Sequence, residues 1–258
     1  MLYLSPIHRV LRLSGPDALT FLQSQLTNDV AALSVGGWQW QGYCSAKGRL
    51  LATFALARTG EAAWEAVVHT STIEALAKRL TMFRMRSKVV IEIAADRNVG
   101  WAFDIADLAP SGLTLALSDG RAYVLIDADV GATLTPADAA IEQRWQRASI
   151  EAMQPEITAP TVEMFVPQMI AWDTVQPGGG VSFSKGCYPG QEVVARAHYR
   201  GAVKRHLEQR TVTGTFDVKE SAEITLDDGR TADVCNVTRI SDTRCLALVV
   251  AASARMEL

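Results

Sequence analysis

Two strand-like runs, Trp38–Cys44 and residues 50 to 57, flank the turn Ser45-Ala46-Lys47-Gly48. No other stretch limits the fold as tightly. A turn this short joins antiparallel neighbours, so the strand and helix alternation around it favours a mixed sheet over an all-parallel one. Upstream, Ser14-Gly15-Pro16-Asp17 opens a helix, with Ser14 as its cap and Asp17 complementing the dipole. Leu19, Leu22 and Leu26, with Phe21 and Gln25, carry that helix on at helical spacing. Downstream, residues 64 to 69 read as a third strand, Ser71 as the cap of a helix reaching about residue 83, and residues 89 to 93 as a fourth strand.

A second set of elements follows. Residues 100 to 103, 113 to 117 and 121 to 126 read as short strands, with Asp119-Gly120 as a hairpin turn. Thr135-Pro136 is read as the start of a helix running to about residue 153. Residues 155 to 180 are rich in proline and glycine and predict an irregular segment crossing the surface. From His206 onward short alternating runs are separated by Asp227-Asp228-Gly229 and Ser241-Asp242-Thr243, the pattern of a small antiparallel sheet or barrel. The fold class expected is α+β in three units. These are an N-terminal α+β subdomain over residues 1 to 95, a second over 96 to 202 with a loop and helix at 185 to 201, and a C-terminal β-barrel-like domain over 203 to 258.

Composition bounds the function. A chain that is 48% hydrophobic and 21% charged belongs with soluble globular proteins. Its net charge of −3 argues against a whole-molecule nucleic-acid binder, so any anion site is local. No apolar run reaches the length of a membrane span. The opening MLYLSPIHRV lacks the basic-then-apolar pattern of a signal peptide, and the expected location is cytoplasmic. Cys44, Cys187, Cys235 and Cys245 form no C-x-x-C pair and show no ligand spacing with His8, His69, His198 or His206, which leaves a zinc site unsupported. Cys235 and Cys245 lie in strand-like runs and read as buried small hydrophobes.

The densest chemistry lies in KGCYPGQEVVARAHYRGAVKR, residues 185 to 205. Pro189 suits a first helical position, and residues 191 to 199 are free of breakers. Cys187 thus stands just before a helix N-terminus and near Lys185, two features that favour a thiolate and mark a reactive or ligating sulfur. The bland alternative is a packed, inert thiol at a loop-helix junction. Arg196 and Arg200 share a helix face, with Lys204 and Arg205 beyond Gly201, so an anionic partner is implied. Glu192 complements the helix dipole. Asn28 and Asp29 end the first helix, either as its C-terminal turn or as part of a site. Lys78, Arg79, Arg84, Arg86 and Lys88 read as a solvated helix end.

This run, with GPDALTFLQSQLTNDV at 15 to 30, GYCSAKGRLLATF at 42 to 54 and VEMFVPQM at 162 to 169, resembles the YgfZ family. Those are folate-binding proteins of iron–sulfur cluster assembly, related to the aminomethyltransferase of the glycine cleavage system. The resemblance implies α+β subdomains around a central folate cavity with a C-terminal β-barrel. It implies tetrahydrofolate or a derivative as ligand, and a transient iron–sulfur cluster shared with a partner, since one cysteine supplies one ligand at most. The partners implied are iron–sulfur client or carrier proteins, including the radical enzymes that thiolate tRNA; direct nucleic-acid binding is not expected. In these terms Cys187 handles sulfur or iron, Lys185 tunes its thiolate, and Glu151 holds the pterin through the bidentate contact an aminopyrimidine edge requires. Asn28, Asp29, Tyr188, Gln191 and Arg196 complete the implied binding set. The aminomethyltransferase relatives carry paired aspartates where KGRLLATF places Leu51 and Ala52, and two apolar side chains cannot stabilise a developing cation. A folate-dependent one-carbon transferase with Cys187 as nucleophile is therefore the alternative. A non-catalytic module docking through Arg196, Arg200, Lys204 and Arg205 is the third reading.

Overall fold

The structure, a computed structural model, describes residues 1–108, 112–201, 203–213 and 218–253. β1 (Leu2–Leu4) and β2 (His8–Ser14) lead into α1 (Ala18–Gln25), and then β3 (Trp38–Cys44), β4 (Leu50–Gly60), β5 (Ala63–His69), α2 (Thr70–Phe83) and β6 (Val90–Ile93) follow. The second set is β7 (Arg97–Ala102), β8 (Leu113–Ala116), β9 (Ala122–Asp127), α3 (Ala128–Gly131), β10 (Thr135–Pro136) and α4 (Ala139–Glu151). An irregular segment with 3-10 turns at Ala159–Thr161 and Pro167–Ile170 reaches α5 (Gln191–Arg200). The last set is β11 (Arg205–Thr213), β12 (Glu223–Thr225), β13 (Thr231–Ser241) and β14 (Arg244–Ala252).

Three sheets result. The first has order β3-β4-β5-β2-β6 and the second β10-β1-β7-β9-β8. The third, β11-β14-β13-β12, is antiparallel throughout and among the described residues makes half of a barrel. The hairpin argument holds, since β3 pairs antiparallel with β4. The only parallel pair among the described strands is β1 with β10. β1 belongs to the second sheet although it precedes β2, so the chain crosses between the first two units within its first eight residues.

Packing explains why the units stay together. α1 and α2 cover one face of the first sheet, with Leu22, Ile73, Leu76 and Leu80 buried beside Tyr43, Ala52 and Phe54. The opposite face joins a single cluster that runs through all three sheets, from Trp40 and Val67 to Trp101 and Tyr123 to Leu248 and Val250, with Trp145 of α4 between them. Trp101 and Trp145 stack with centroids 4.9 Å apart and nearly parallel planes, an arrangement worth about 0.5–1.5 kcal/mol beyond area burial. Buried Glu65 on β5 adds a polar tie by accepting from Arg12 on β2 and Arg97 on β7.

Four local expectations are corrected. α1 begins at Ala18 rather than under a Ser14 cap; Ser14 ends β2, and the Asp17 carboxylate accepts from Lys88 N at 2.7 Å instead of from the helix. His69, not Ser71, caps α2, its Nδ1 accepting from Ser71 N at 3.1 Å. Thr135-Pro136 forms the short strand beside β1, and α4 starts four residues later under an Asp138 carboxylate that accepts from Ile141 N. Gly190, in a left-handed conformation, occupies the position before α5, which leaves Pro189 outside the helix. Among the described residues no helix is long and apolar enough to cross a membrane.

Candidate functional site

The four segments that carry the sequence resemblance, up to about 160 residues apart, meet at one place. The chain 163 to 165 runs along the start of β4, with Glu163 N donating to Leu50 O and Leu50 N to Phe165 O. Gln168 Nε2 donates to Val194 O at 2.8 Å, which fixes α5 on the 3-10 turn below it. The loop before α5 then presses on the β3–β4 turn. A Cβ on Gly190 would lie 2.3 Å from Ser45 O, and one on Gly48 would lie 2.7 Å from the Val193 Cβ. Two glycines are required because two backbones touch.

Thr27, Asn28 and Asp29 lock the same corner from the α1 side. Thr27 Oγ1 donates to Gly180 O at 2.6 Å and accepts from Gly42 N. Asn28 Nδ2 donates to the carbonyls of Trp40 and Gly179, while the Asp29 carboxylate accepts from Gln23 Nε2 and Ala31 N. These side chains are engaged with their own chain.

Lys185 is buried, and its Nζ donates to Gln23 O and Leu26 O, the carbonyl end of α1, at 2.6 and 2.5 Å. Its ammonium also sits 5.1 Å from the centre of the buried Tyr188 ring. Cys187 is exposed, and no hydrogen bond or ion pair among the described residues joins it to Lys185. The thiolate-tuning role expected for Lys185 is corrected accordingly: the ammonium closes a helix instead. Burial drives the Lys185 pKa down to about 8, with the Asp29 charge opposing. The unfolded chain therefore holds one proton more between pH 8 and about 10.5, and stability rises with pH across that window. Urea unfolding at pH 8 and pH 10 is expected to show a gain of at most about 3 kcal/mol that Lys185→Met lacks; equal gains in both proteins would refute the assignment.

Gln191 begins α5 half-buried, whereas Arg196 and Arg200 are exposed with no hydrogen bond or ion pair among the described residues. Lys204 is exposed as well. Arg205 leaves this cationic face, because its guanidinium pairs with Asp233 and Val250 O on the third sheet. Its expected docking role is corrected by that pairing.

A second feature, invisible in the sequence, lies where the three sheets meet. Two small pockets lie there as neighbouring lobes with lining residues in common. One, of about 60 Å³, is lined by Ile7, His69, Trp145, Gln146, Glu220 and Asn236 among others. The other, of about 30 Å³, is lined by Trp40, Thr53, Ala55, Tyr123 and Trp172 among others. Ser149, Gln154 and Glu156 line both. Each lobe has room for only a few waters, so a bicyclic ring requires the lobes to merge around those three residues. Glu156 retains 27% side-chain exposure, all the access it has while lining this space.

Polar groups in the cavity are oriented by neighbours. Trp101 Nε1 lies 3.2 Å from His8 Nδ1, and an indole N–H only donates. His8 therefore carries its proton on Nε2, which meets Glu156 Oε1 at 3.0 Å. The second Glu156 oxygen accepts no hydrogen bond among the described residues. Asn236 clasps the Glu156 backbone on both sides, through Oδ1 to N and Nδ2 to O, and also reaches Glu220. Burial pushes the Glu220 carboxyl up, against the hydrogen bonds from Thr158 and Asn236. Buried Arg121 donates Nη2 to Gln154 Oε1 at 2.8 Å, and Gln154 Nε2 is left with no partner. Trp172 Nε1 is a second buried donor without one.

Glu151 takes no part in this cavity. It stands on the opposite side of α4 from Ser149, paired with Arg147 at 2.7 Å over an open groove containing Phe103 and Arg144. Ala52 is likewise turned into the core beneath α1 and α2, and the β4 residues that line the cavity are Thr53, Phe54 and Ala55. None is a carboxylate. Glu156 and His8 carry no motif; the only hint in the sequence is one acid between Pro155 and apolar Ile157.

No family model matches the chain. The tRNA-modifying protein YgfZ of Klebsiella pneumoniae is 32% identical over 271 aligned positions, 92% of this chain and 81% of its own. The same protein of Cronobacter sakazakii is 31% identical over 267, covering 92% and 80%. Among solved structures, the glycine cleavage system aminomethyltransferase T of Bartonella henselae matches 97% of this chain and 78% of its own, with a TM-score of 0.70 at 13% identity, a likeness of fold alone. With a third of its residues shared along almost its whole length, the chain belongs to the YgfZ family.

Proposed function

We propose that this protein binds a tetrahydrofolate in the cavity between its three sheets and acts as an accessory factor. Its clients are enzymes whose iron–sulfur clusters need assembly or repair, among them those that thiolate tRNA. The observation that carries the folate half is the donor set of the cavity. A half-buried carboxylate with a free oxygen and the unpaired amide N–H of buried Gln154 line this space beside Trp145, Trp40 and Tyr123, and a buried polar atom without a partner calls for one. Relatives named for tRNA modification support the client half.

Cys187, in the loop ahead of α5, is the exposed sulfur at which a client would meet the protein, and the exposed guanidiniums of Arg196 and Arg200 follow on that helix. Lys185 and the buried Tyr188 ring anchor that loop, and Asn28 holds the chain ahead of it through Gly179 O, while Asp29 braces the α1 corner. Aminomethyl transfer is the weaker reading, since the residues that β4 offers the cavity, Thr53, Phe54 and Ala55, include no carboxylate. The test uses cells lacking the protein and measures thiolation of tRNA. Wild type is expected to restore it and Cys187→Ser to lose most of it, with unchanged thermal stability because the side chain is exposed. Full restoration by Cys187→Ser would remove the sulfur from the mechanism. Calorimetry with tetrahydrofolate tests the other half, and no binding by the wild-type protein would end the folate reading.

A further inference from the structure

We infer that Gln154 and Glu156 together read the 2-amino-4-oxo edge of a pterin ring, with Arg121 and His8 as the residues that set their orientation. The inference rests on the folate reading above and names the groups that give it specificity.

Along that edge a pterin presents an acceptor, the 4-oxo oxygen, followed by two donors, N3–H and the 2-amino group. A matching wall offers a donor beside a carboxylate. Gln154 and Glu156 are the two polar residues shared by both lobes apart from Ser149, and only Pro155 separates them. An amide side chain could turn either way and offer its oxygen instead. Here it is fixed, because Arg121 Nη2 donates to Gln154 Oε1 at 2.8 Å and leaves Nε2 as the remaining, unpaired group. Arg121 is itself held by Asp119, by Ser149 Oγ and by Trp145 O, so the amide has no freedom to exchange its ends. Glu156 is set in the same way, one oxygen taken by His8 Nε2 and the other left open. Glu151 offers no such arrangement, since it lies across α4 with its carboxylate on Arg147.

A site whose donor is locked discriminates against a ligand that carries a donor at the same place. The wild-type protein is expected to bind tetrahydrofolate at least about tenfold more tightly than its 4-amino-4-deoxy analogue, by calorimetry. Gln154→Glu keeps the contact to Arg121 and presents an acceptor, so the preference should reverse. Glu156→Gln should weaken both ligands about tenfold or more, and Glu151→Gln should leave both within about twofold. The ratio of the two affinities is the reading that a general loss of stability would not change. Equal binding of the two ligands by wild type, an unchanged ratio in Gln154→Glu, or a loss in Glu151→Gln without one in Glu156→Gln would each overturn this assignment while leaving the folate reading in place. Failure of wild type to bind tetrahydrofolate at all would overturn the folate reading itself.

Discussion

Gly190→Ala is expected to destabilise the protein by about 2–5 kcal/mol, the sum of a left-handed backbone and a backbone collision. Gly190 has φ +79°, and its added Cβ would stand 2.3 Å from Ser45 O and 2.6 Å from the Cα and N of Gly48. These atoms have no room to give. The β3–β4 turn is closed by Ser45 N donating to Arg49 O and by Gly48 N donating to Ser45 O. Gly201, at the other end of α5, supplies the comparison: its φ is +58°, yet a Cβ added there would meet nothing within 4 Å. Gly201→Ala should therefore lose only the conformational part, about 1–2 kcal/mol. Urea midpoints at constant slope measure both. Equal losses at the two positions would mean that the loop and the turn do not bear on one another.

That contact also illustrates what a sequence of this kind discloses. The strands of the β3–β4 hairpin are legible because apolar runs on either side of a Gly-containing turn admit few other pairings. The irregular segment after α4 is legible because proline and glycine empty it of ladders. The meeting of Gly190 with Gly48 is not, since nothing local to either residue encodes a partner more than 140 positions away. Caps fail for a different reason: a serine near a helix start satisfies the capping rule, but the His69 ring reaches Ser71 N first, and the Ser71 hydroxyl accepts from Ala159 N. Lys185 shows the limit of proximity. Two positions from Cys187, it could be read as that sulfur's neighbour, yet in an irregular loop the chain aims its ammonium at the carbonyl end of α1. Glu151 and Glu156 differ likewise. Periodicity says that Glu151 and Arg147 share a face of α4, but only tertiary packing decides that Trp145 and Ser149, not that face, look into the cavity.

Arg121→Met should cost about 3–5 kcal/mol and, in the folate-bound protein, erase the discrimination between 4-oxo and 4-amino rings. Removing one partner of a buried charged network costs this much because the remaining groups keep their desolvation without their bonds. Arg121 is buried against the Trp145 ring at 4.5 Å and donates to Asp119, Ser149, Gln154 and the Trp145 carbonyl. Methionine fills most of its volume but donates to none of them. Asp119 can turn to solvent, whereas Gln154 Oε1 and the Trp145 carbonyl are left inside. The two effects separate by measurement. A purely structural role would lower the unfolding midpoint and weaken both ligands in proportion. A positioning role also frees the Gln154 amide to present either end, so the affinity ratio falls toward one while Gln154→Glu moves it past one. Should Arg121→Met lose stability and keep the wild-type ratio, the guanidinium braces α4 and the amide is oriented by something else.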